Sequence, residues 1–219
     1  MATLKKFDIT GKEIGSLQVR DEDLQSDANP QMIKDYIVAI RNNSRQWSAN
    51  TKTRSEVNHS GQKPHPQKGM GRSRQGYLGA AQYKGGGRVG GPRPKFDQHQ
   101  RINKKERQAA IRHLFIEKIQ ENHLQILSLK LGQVHKTKEV AQFLRAVGLN
   151  EKKVLILGSL SAKEKSEEWR RFQGNIPKTE FSYLTNISGY DLACYPYLIL
   201  LEDAEKEMLD LLIKQEKGK

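Results

Sequence analysis

Acidic residues are almost absent between Arg45 and Arg107, where only Glu56, Asp97 and Glu106 stand against 15 lysines and arginines. A solvated charged face normally mixes the two signs, so an imbalance of this size excludes an ordinary surface helix or polar linker as its explanation. The rest of the 219-residue chain is nearly neutral, because this one stretch holds +12 of the total net charge of +13. A concentrated cationic segment on an otherwise neutral protein makes a polyanion the first partner to expect.

Other scarcities narrow the reading further. With one cysteine, Cys194, no internal disulfide can form, which fits a reducing compartment such as the cytoplasm. Beside Leu192 and Ala193, that thiol is expected to be a small buried hydrophobe rather than a reactive group. No apolar run reaches 18 residues and the first residues lack the apolar core of a signal peptide, so a soluble, non-secreted protein without membrane partners is expected. The G-x-x-x-x-G-K-[ST] phosphate loop is missing, and Leu157-Gly-Ser-Leu-Ser161 has one glycine where a dinucleotide fingerprint needs three. The six histidines (His59, His65, His99, His113, His123, His135) contain no i, i+4 pair and have one cysteine to join, so neither a metal nor another cofactor is expected. No catalytic constellation is legible.

What is present reads as an α/β domain interrupted by the cationic stretch. Leu4 to Ile9 and Ser16 to Val19 read as strands around Thr10-Gly11-Lys12. Asn29-Pro30 opens a helix with Ile33, Tyr36, Ile37 and Ile40 on its apolar face. Asn103, as a cap with Glu106 three residues on, opens a second helix with Ile111, Leu114, Phe115 and Ile119 inward. Then strands at Leu124 to Leu131, Val154 to Leu157, Phe181 to Leu184 and Tyr197 to Leu201 alternate with helices. These run from Thr137 to Val147, from a Ser161/Glu164 capping box to about Phe172, and from Ala204 to Gln215. Such alternation predicts a mostly parallel sheet flanked by helices, Rossmann-like in plan.

Residues 44–101 keep no period of 2 or 3.6. Ten of the chain's 18 glycines and four of its seven prolines lie between Gly61 and Pro94, while Met70, Tyr77, Leu78, Tyr83, Val89 and Phe96 are too scattered to build a core. The expected organisation is a globular α/β domain from 1–43 and 102–219 with an extended basic loop over 44–101, disordered until it meets RNA. The candidate RNA contacts are Arg45, Lys52, Arg54, Lys63, Lys68, Arg72, Arg74, Lys84, Arg88, Arg93, Lys95, Arg101, Lys104, Lys105 and Arg107. The last three crowd the first turn of a helix, where cations oppose the helix dipole unless an anion such as phosphate sits there. Trp47, Tyr77, Tyr83 and Phe96 are placed to stack on unpaired bases; Trp47 and Phe96, near the loop's two ends, have packing on the globular domain as an equal alternative.

Several segments in order, namely Lys52-Thr-Arg-Ser-Glu-Val57, Lys63-Pro64, Gln67-Lys-Gly-Met-Gly-Arg-Ser-Arg74, Gly85-Gly-Gly87, Pro92-Arg93-Pro94 and Asn103-Lys-Lys105, make the chain resemble large-subunit ribosomal protein four of the bacterial and organellar type. The resemblance implies a structural, ribosome-bound protein, in the cytoplasm or an organelle, that binds large-subunit ribosomal RNA and neighbouring ribosomal proteins. It also implies that the loop tip, Gln67, Lys68, Gly69, Met70, Gly71 and Arg72, lines the exit tunnel beside the nascent peptide. Some members of the family bind the mRNA of their own operon, and that regulatory role is one alternative; an RNA-processing enzyme with a basic arm is another. The chain departs from the family pattern at His65-Pro66, Met70 and Ala81-Gln-Tyr83-Lys84, which bears on the shape of the tip.

Overall fold

The computed structural model describes residues 2–26, 28–94, 98–128 and 136–213. They fall into two compact units, one within Met1–Ile40 and Arg101–Lys219, the other Arg41–Gln100.

The first unit is built on a six-stranded sheet. Its strands are β1 (Ala2–Phe7), β2 (Glu13–Val19), β3 (Leu124–Leu127), β4 (Val154–Gly158), β5 (Thr179–Tyr183) and β6 (Tyr197–Leu201). The spatial order is β2-β1-β3-β6-β4-β5, and every neighbouring pair is parallel except β1 with β2. The expected α/β fold with a mostly parallel, helix-flanked sheet is therefore present. The chain passes from β3 out to β4 and β5 and then returns to place β6 between β3 and β4, a reversal that periodicity alone does not predict.

The central strands β4 and β6 are apolar throughout because both of their faces are covered. Side chains alternate across each strand, so Leu155 and Leu157 of β4, with Leu198 and Leu200 of β6, enter one core. Val154, Ile156, Ile199 and Leu201 enter the other. The first core is closed by α2 (Lys104–Gln120) through Leu114, Phe115, Ile116 and Ile119, and by α6 (Glu205–Leu212) through Met208 and Leu212. The second is closed by α3 (Thr137–Ala146) with Val140, Phe143 and Leu144, and by α4 (Lys163–Gln173) with Trp169. Each fully buried aliphatic or aromatic side chain contributes about 1.5–3 kcal/mol, so these two layers outweigh any surface contact. Both cores consist of residues from the first unit.

The helix α1 (Pro30–Asn43) starts where Asn29 Oδ1 accepts the Gln31 backbone N–H at 2.9 Å, and it buries Tyr36 and Ala39. The expected strand from Leu124 extends only to Leu127, and its residues from Leu129 on lie outside the described residues, as do the last two positions of the helix expected to reach Gln215. The capping box expected at Ser161 does not form. The α4 cap is Ala162, without a side-chain bond, because the Ser161 hydroxyl donates to Glu207 of α6 at 3.1 Å instead. A capping box does occur at Ser188 and Asp191, opening α5 (Gly189–Cys194), a helix that the sequence pattern is too short to reveal. Cys194, at its end, is half-buried rather than buried.

Candidate nucleic-acid interface

Residues 45–94 contain no helix or strand, but they are not an unstructured tail. Backbone and side-chain hydrogen bonds tie the outgoing and returning limbs of the loop together at three levels. At the base, the Asn43 side chain donates to the Gln100 carbonyl at 3.0 Å and accepts the Gln100 N–H at 2.8 Å. In the middle, the Thr51 N–H donates to the Pro92 carbonyl at 3.0 Å and the Arg88 N–H to the Lys52 carbonyl at 2.8 Å. Near the tip, His65 Nε2 lies 2.8 Å from the Ser73 carbonyl and acts there as the donor.

The middle level is a clasp packed on glycine. Gly79 and Gly87 are buried, within a stretch that is otherwise exposed or half-buried. A Cβ on Gly87 would lie 2.2 Å from the Arg54 nitrogen, a backbone atom that cannot swing aside, so only glycine lets the limbs approach this closely. Tyr77 donates its hydroxyl to the Arg54 carbonyl at 3.3 Å and meets His59 edge-on, with ring centroids 6.4 Å apart. Trp47 is half-buried, donates Nε1–H to the Asn42 carbonyl at 3.1 Å, and lies 5.5 Å from the Arg45 guanidinium. Tyr77 and Trp47 thus both find partners within the loop's own unit.

The cations are arranged the opposite way. Arg45, Lys52, Arg54, Lys63, Lys68, Arg72, Arg74, Lys84, Arg88 and Arg93 are all exposed. Among the described residues of the loop, Arg93 is the one that forms an ion pair, with Glu56 at 2.6 Å. Lys95, with Phe96 and Asp97, lies outside the described residues. At the tip Gly69 and Gly71 adopt φ of +91° and +59°, reversing the chain between Lys68 and Arg72, with Met70 exposed. The loop therefore turns its positive charge outward around a clasp closed on Gly79 and Gly87, an arrangement suited to contact with a sugar–phosphate chain.

In the first unit, Arg101, Lys104, Lys105 and Arg107 are exposed at and just before the first turn of α2. Asn103 is the cap residue, yet its side chain makes no capping bond; its amide donates to Glu106 Oε1 at 3.1 Å. The expected capping box is thus absent, and the first-turn N–H groups have no side-chain acceptor from this residue. A helix start that combines open N–H groups with three cations is suited to a phosphate.

Residues 17–210, a span that includes the whole loop and most of both units, match the family described as ribosomal protein L4/L1. This chain belongs to that family. It is 32% identical over 208 residues to the large ribosomal subunit protein uL4 of Caldicellulosiruptor bescii, covering 95% of this chain and 98% of the relative. The uL4 proteins of Lachnoclostridium phytofermentans and Thermosipho melanesiensis are also 32% identical, over 93% and 97% of this chain and 96% and 100% of theirs.

The carboxyl edge of the parallel sheet is where an α/β enzyme would hold its ligand. In this L4/L1-family chain that edge is occupied by its own side chains. Ser159 and Ser161 both donate to Glu207, Ser128 donates to Glu202, Lys6 pairs with Glu205 at 2.6 Å, and Lys165 with Asp203 at 3.0 Å. The Ser159 and Ser161 hydroxyls, the groups of this turn with the chemistry to grip a phosphate, face a carboxylate instead. Tyr195 is pushed up to about 12, chiefly by its hydrogen bond to Glu180 and then by burial, so it stays protonated and serves as a structural donor. No group of three or more His, Cys, Asp or Glu side chains suited to a metal occurs among the described residues. His113 contacts Ser26 and His123 contacts Glu121, while His135 lies outside the described residues.

Sequence reasoning missed Glu56. Its only signal is its position as a single acid inside a run of cations, and its partners become visible only when the two limbs of the loop are brought together.

Proposed function

We propose that this chain is a structural, non-catalytic constituent of the large ribosomal subunit that grips ribosomal RNA with the loop over 44–101 and the first turn of α2. The observation that carries this reading is the charge of the loop: ten described cations face solvent around limbs tied together by hydrogen bonds, with one carboxylate engaged among them. The uL4 name of the relatives supports the same particle and, with it, ribosomal RNA, other large-subunit proteins and a cytoplasmic ribosome as the surroundings. Lysate resolved on a sucrose gradient is expected to show the protein co-migrating with the large subunit. Predominantly free protein would instead favour a regulator of mRNA or an RNA-processing enzyme.

Within that reading, Gln67 to Arg72 forms the part of the loop that lines the exit tunnel, an assignment resting on family resemblance and on the glycine-based reversal at Gly69 and Gly71. Lys68 is exposed there and free to hold a phosphate. Lys68→Glu is expected to leave incorporation into the subunit intact, because the many remaining cations hold the protein, while changing inhibition of translation by macrolide-type drugs. Drug titration of translation with purified subunits of matched occupancy checks this; an unchanged dose response removes the tip from the tunnel wall.

A further inference from the structure

We propose that Glu56 is a positioning residue for RNA binding: by drawing Thr53 and Arg93 together it sets the clasp in its binding arrangement, so that removing this negative charge weakens binding to a polyanion. The proposal rests on the RNA-binding reading above and deepens it.

Simple electrostatics predicts the reverse, since a carboxylate repels phosphate and its loss raises the loop's positive charge by one. The geometry argues against that account. One carboxylate oxygen, Oε2, accepts the Thr53 N–H at 2.8 Å, and the other, Oε1, accepts from the Arg93 guanidinium at 2.6 Å. The Thr53 carbonyl in turn accepts the Glu56 and Val57 N–H groups, so residues 53–57 form a closed turn that points its carboxylate at the returning limb. Immediately around this pin lie the Thr51 to Pro92 and Arg88 to Lys52 backbone bonds, which join the limbs in opposite directions.

These contacts assemble Lys52, Arg54, Arg88 and Arg93 within one small, exposed, water-screened structure. Without an anion, like charges on the two limbs push them apart. An isolated exposed ion pair contributes little. Glu56 differs because it also satisfies a backbone donor and spans 37 residues of chain. Holding the limbs together before RNA arrives lowers the ordering cost that binding must meet.

The Glu56 carboxyl is held down to about 2, first by the Thr53 backbone N–H and then by Arg93, from an ordinary 4.5. A depressed carboxylate contributes in full above its ordinary value and is lost as pH falls through the depressed one. The pin is therefore expected to be ionised throughout the neutral range and to fail only toward pH 2.

The test uses the whole chain and protein-free large-subunit ribosomal RNA at about 150 mM salt, comparing wild type, Glu56→Gln and Glu151→Gln. Glu56→Gln is expected to weaken binding about fivefold through lost preorganisation. Glu151→Gln, which also removes one exposed acid but lies outside the loop and α2, is expected to bind as tightly as wild type. In parallel, amide exchange in the free protein should quicken at Thr51 and Arg88 in Glu56→Gln, while far-UV dichroism of the α/β unit stays the same.

Tighter or equal binding by Glu56→Gln overturns the proposal and makes Glu56 a simple competitor of phosphate. Weaker binding with unchanged exchange at Thr51 and Arg88 overturns it as well, because the clasp would not depend on this residue. A wild-type protein that shows no salt-dependent RNA binding defeats the underlying reading instead, which keeps the two failures apart.

Discussion

A chain lacking residues 61–91 is expected to fold and yet lose a substantial part of the salt dependence of its RNA binding. Both hydrophobic cores consist of residues outside this segment, so the melting temperature of the α/β unit should hardly change. What disappears is Lys63, Lys68, Arg72, Arg74, Lys84 and Arg88, six exposed cations. Each phosphate contact releases condensed counterions, and the logarithm of affinity falls with the logarithm of salt by roughly 0.7 per contact on single-stranded and somewhat more on duplex nucleic acid. Removing six contacts should therefore flatten the slope by about four and lower affinity at physiological salt on the order of 10²–10³-fold. Filter binding at a series of salt concentrations measures both. An unchanged slope would mean that the α/β surface, and not the loop, is the principal RNA contact.

Reversing Lys104, Lys105 and Arg107 together to glutamate is expected to weaken incorporation into the large subunit while leaving the fold intact or slightly firmer. Carboxylates in the first turn of a helix interact favourably with its dipole, by about 0.3–1 kcal/mol each, whereas the native cations there oppose it. Stability and RNA affinity should thus move in opposite directions. Three lost phosphate contacts remove about two from the salt slope, and the repulsion added by three new carboxylates should take the loss of affinity to about 10²-fold. Thermal melting of the free protein, set beside its occupancy in purified subunits, separates the two effects. A variant that melts normally and incorporates at wild-type levels would remove this helix start from the interface.

The two sites differ in how far they could be read in advance. Lys104, Lys105 and Arg107 were legible because three cations at a helix start conflict with the dipole, and the start itself was marked by Asn103. Glu106 was misread: the spacing predicts a capping box, but the Asn103 side chain reaches the Glu106 carboxylate and leaves the backbone open. In the loop, the cations were legible from charge alone, while the pairing of limbs was not. Thr51 with Pro92 and Glu56 with Arg93 are separated by 41 and 37 residues, and no local period links them. Gly87 shows the same limit, since nothing local marks it out within Gly85-Gly-Gly87 and its close packing against Arg54 depends on a partner 33 residues away.

By itself the sequence determined the class of fold, most element positions and the sign of the partner's charge. Those follow from local regularities: Tyr197–Leu201 reads as a strand because five apolar residues leave no polar face, and α3 reads as a helix because Val140, Phe143 and Leu144 recur on one side. Only the tertiary structure decided that β6 lies between β3 and β4, that Ser161 serves Glu207 rather than its own helix, and that Glu56 meets Arg93. Each of those choices is a competition between distant partners for one strand edge, one hydroxyl or one carboxylate. Its outcome depends on which groups the finished fold brings within reach, and local chemistry carries no record of that distance.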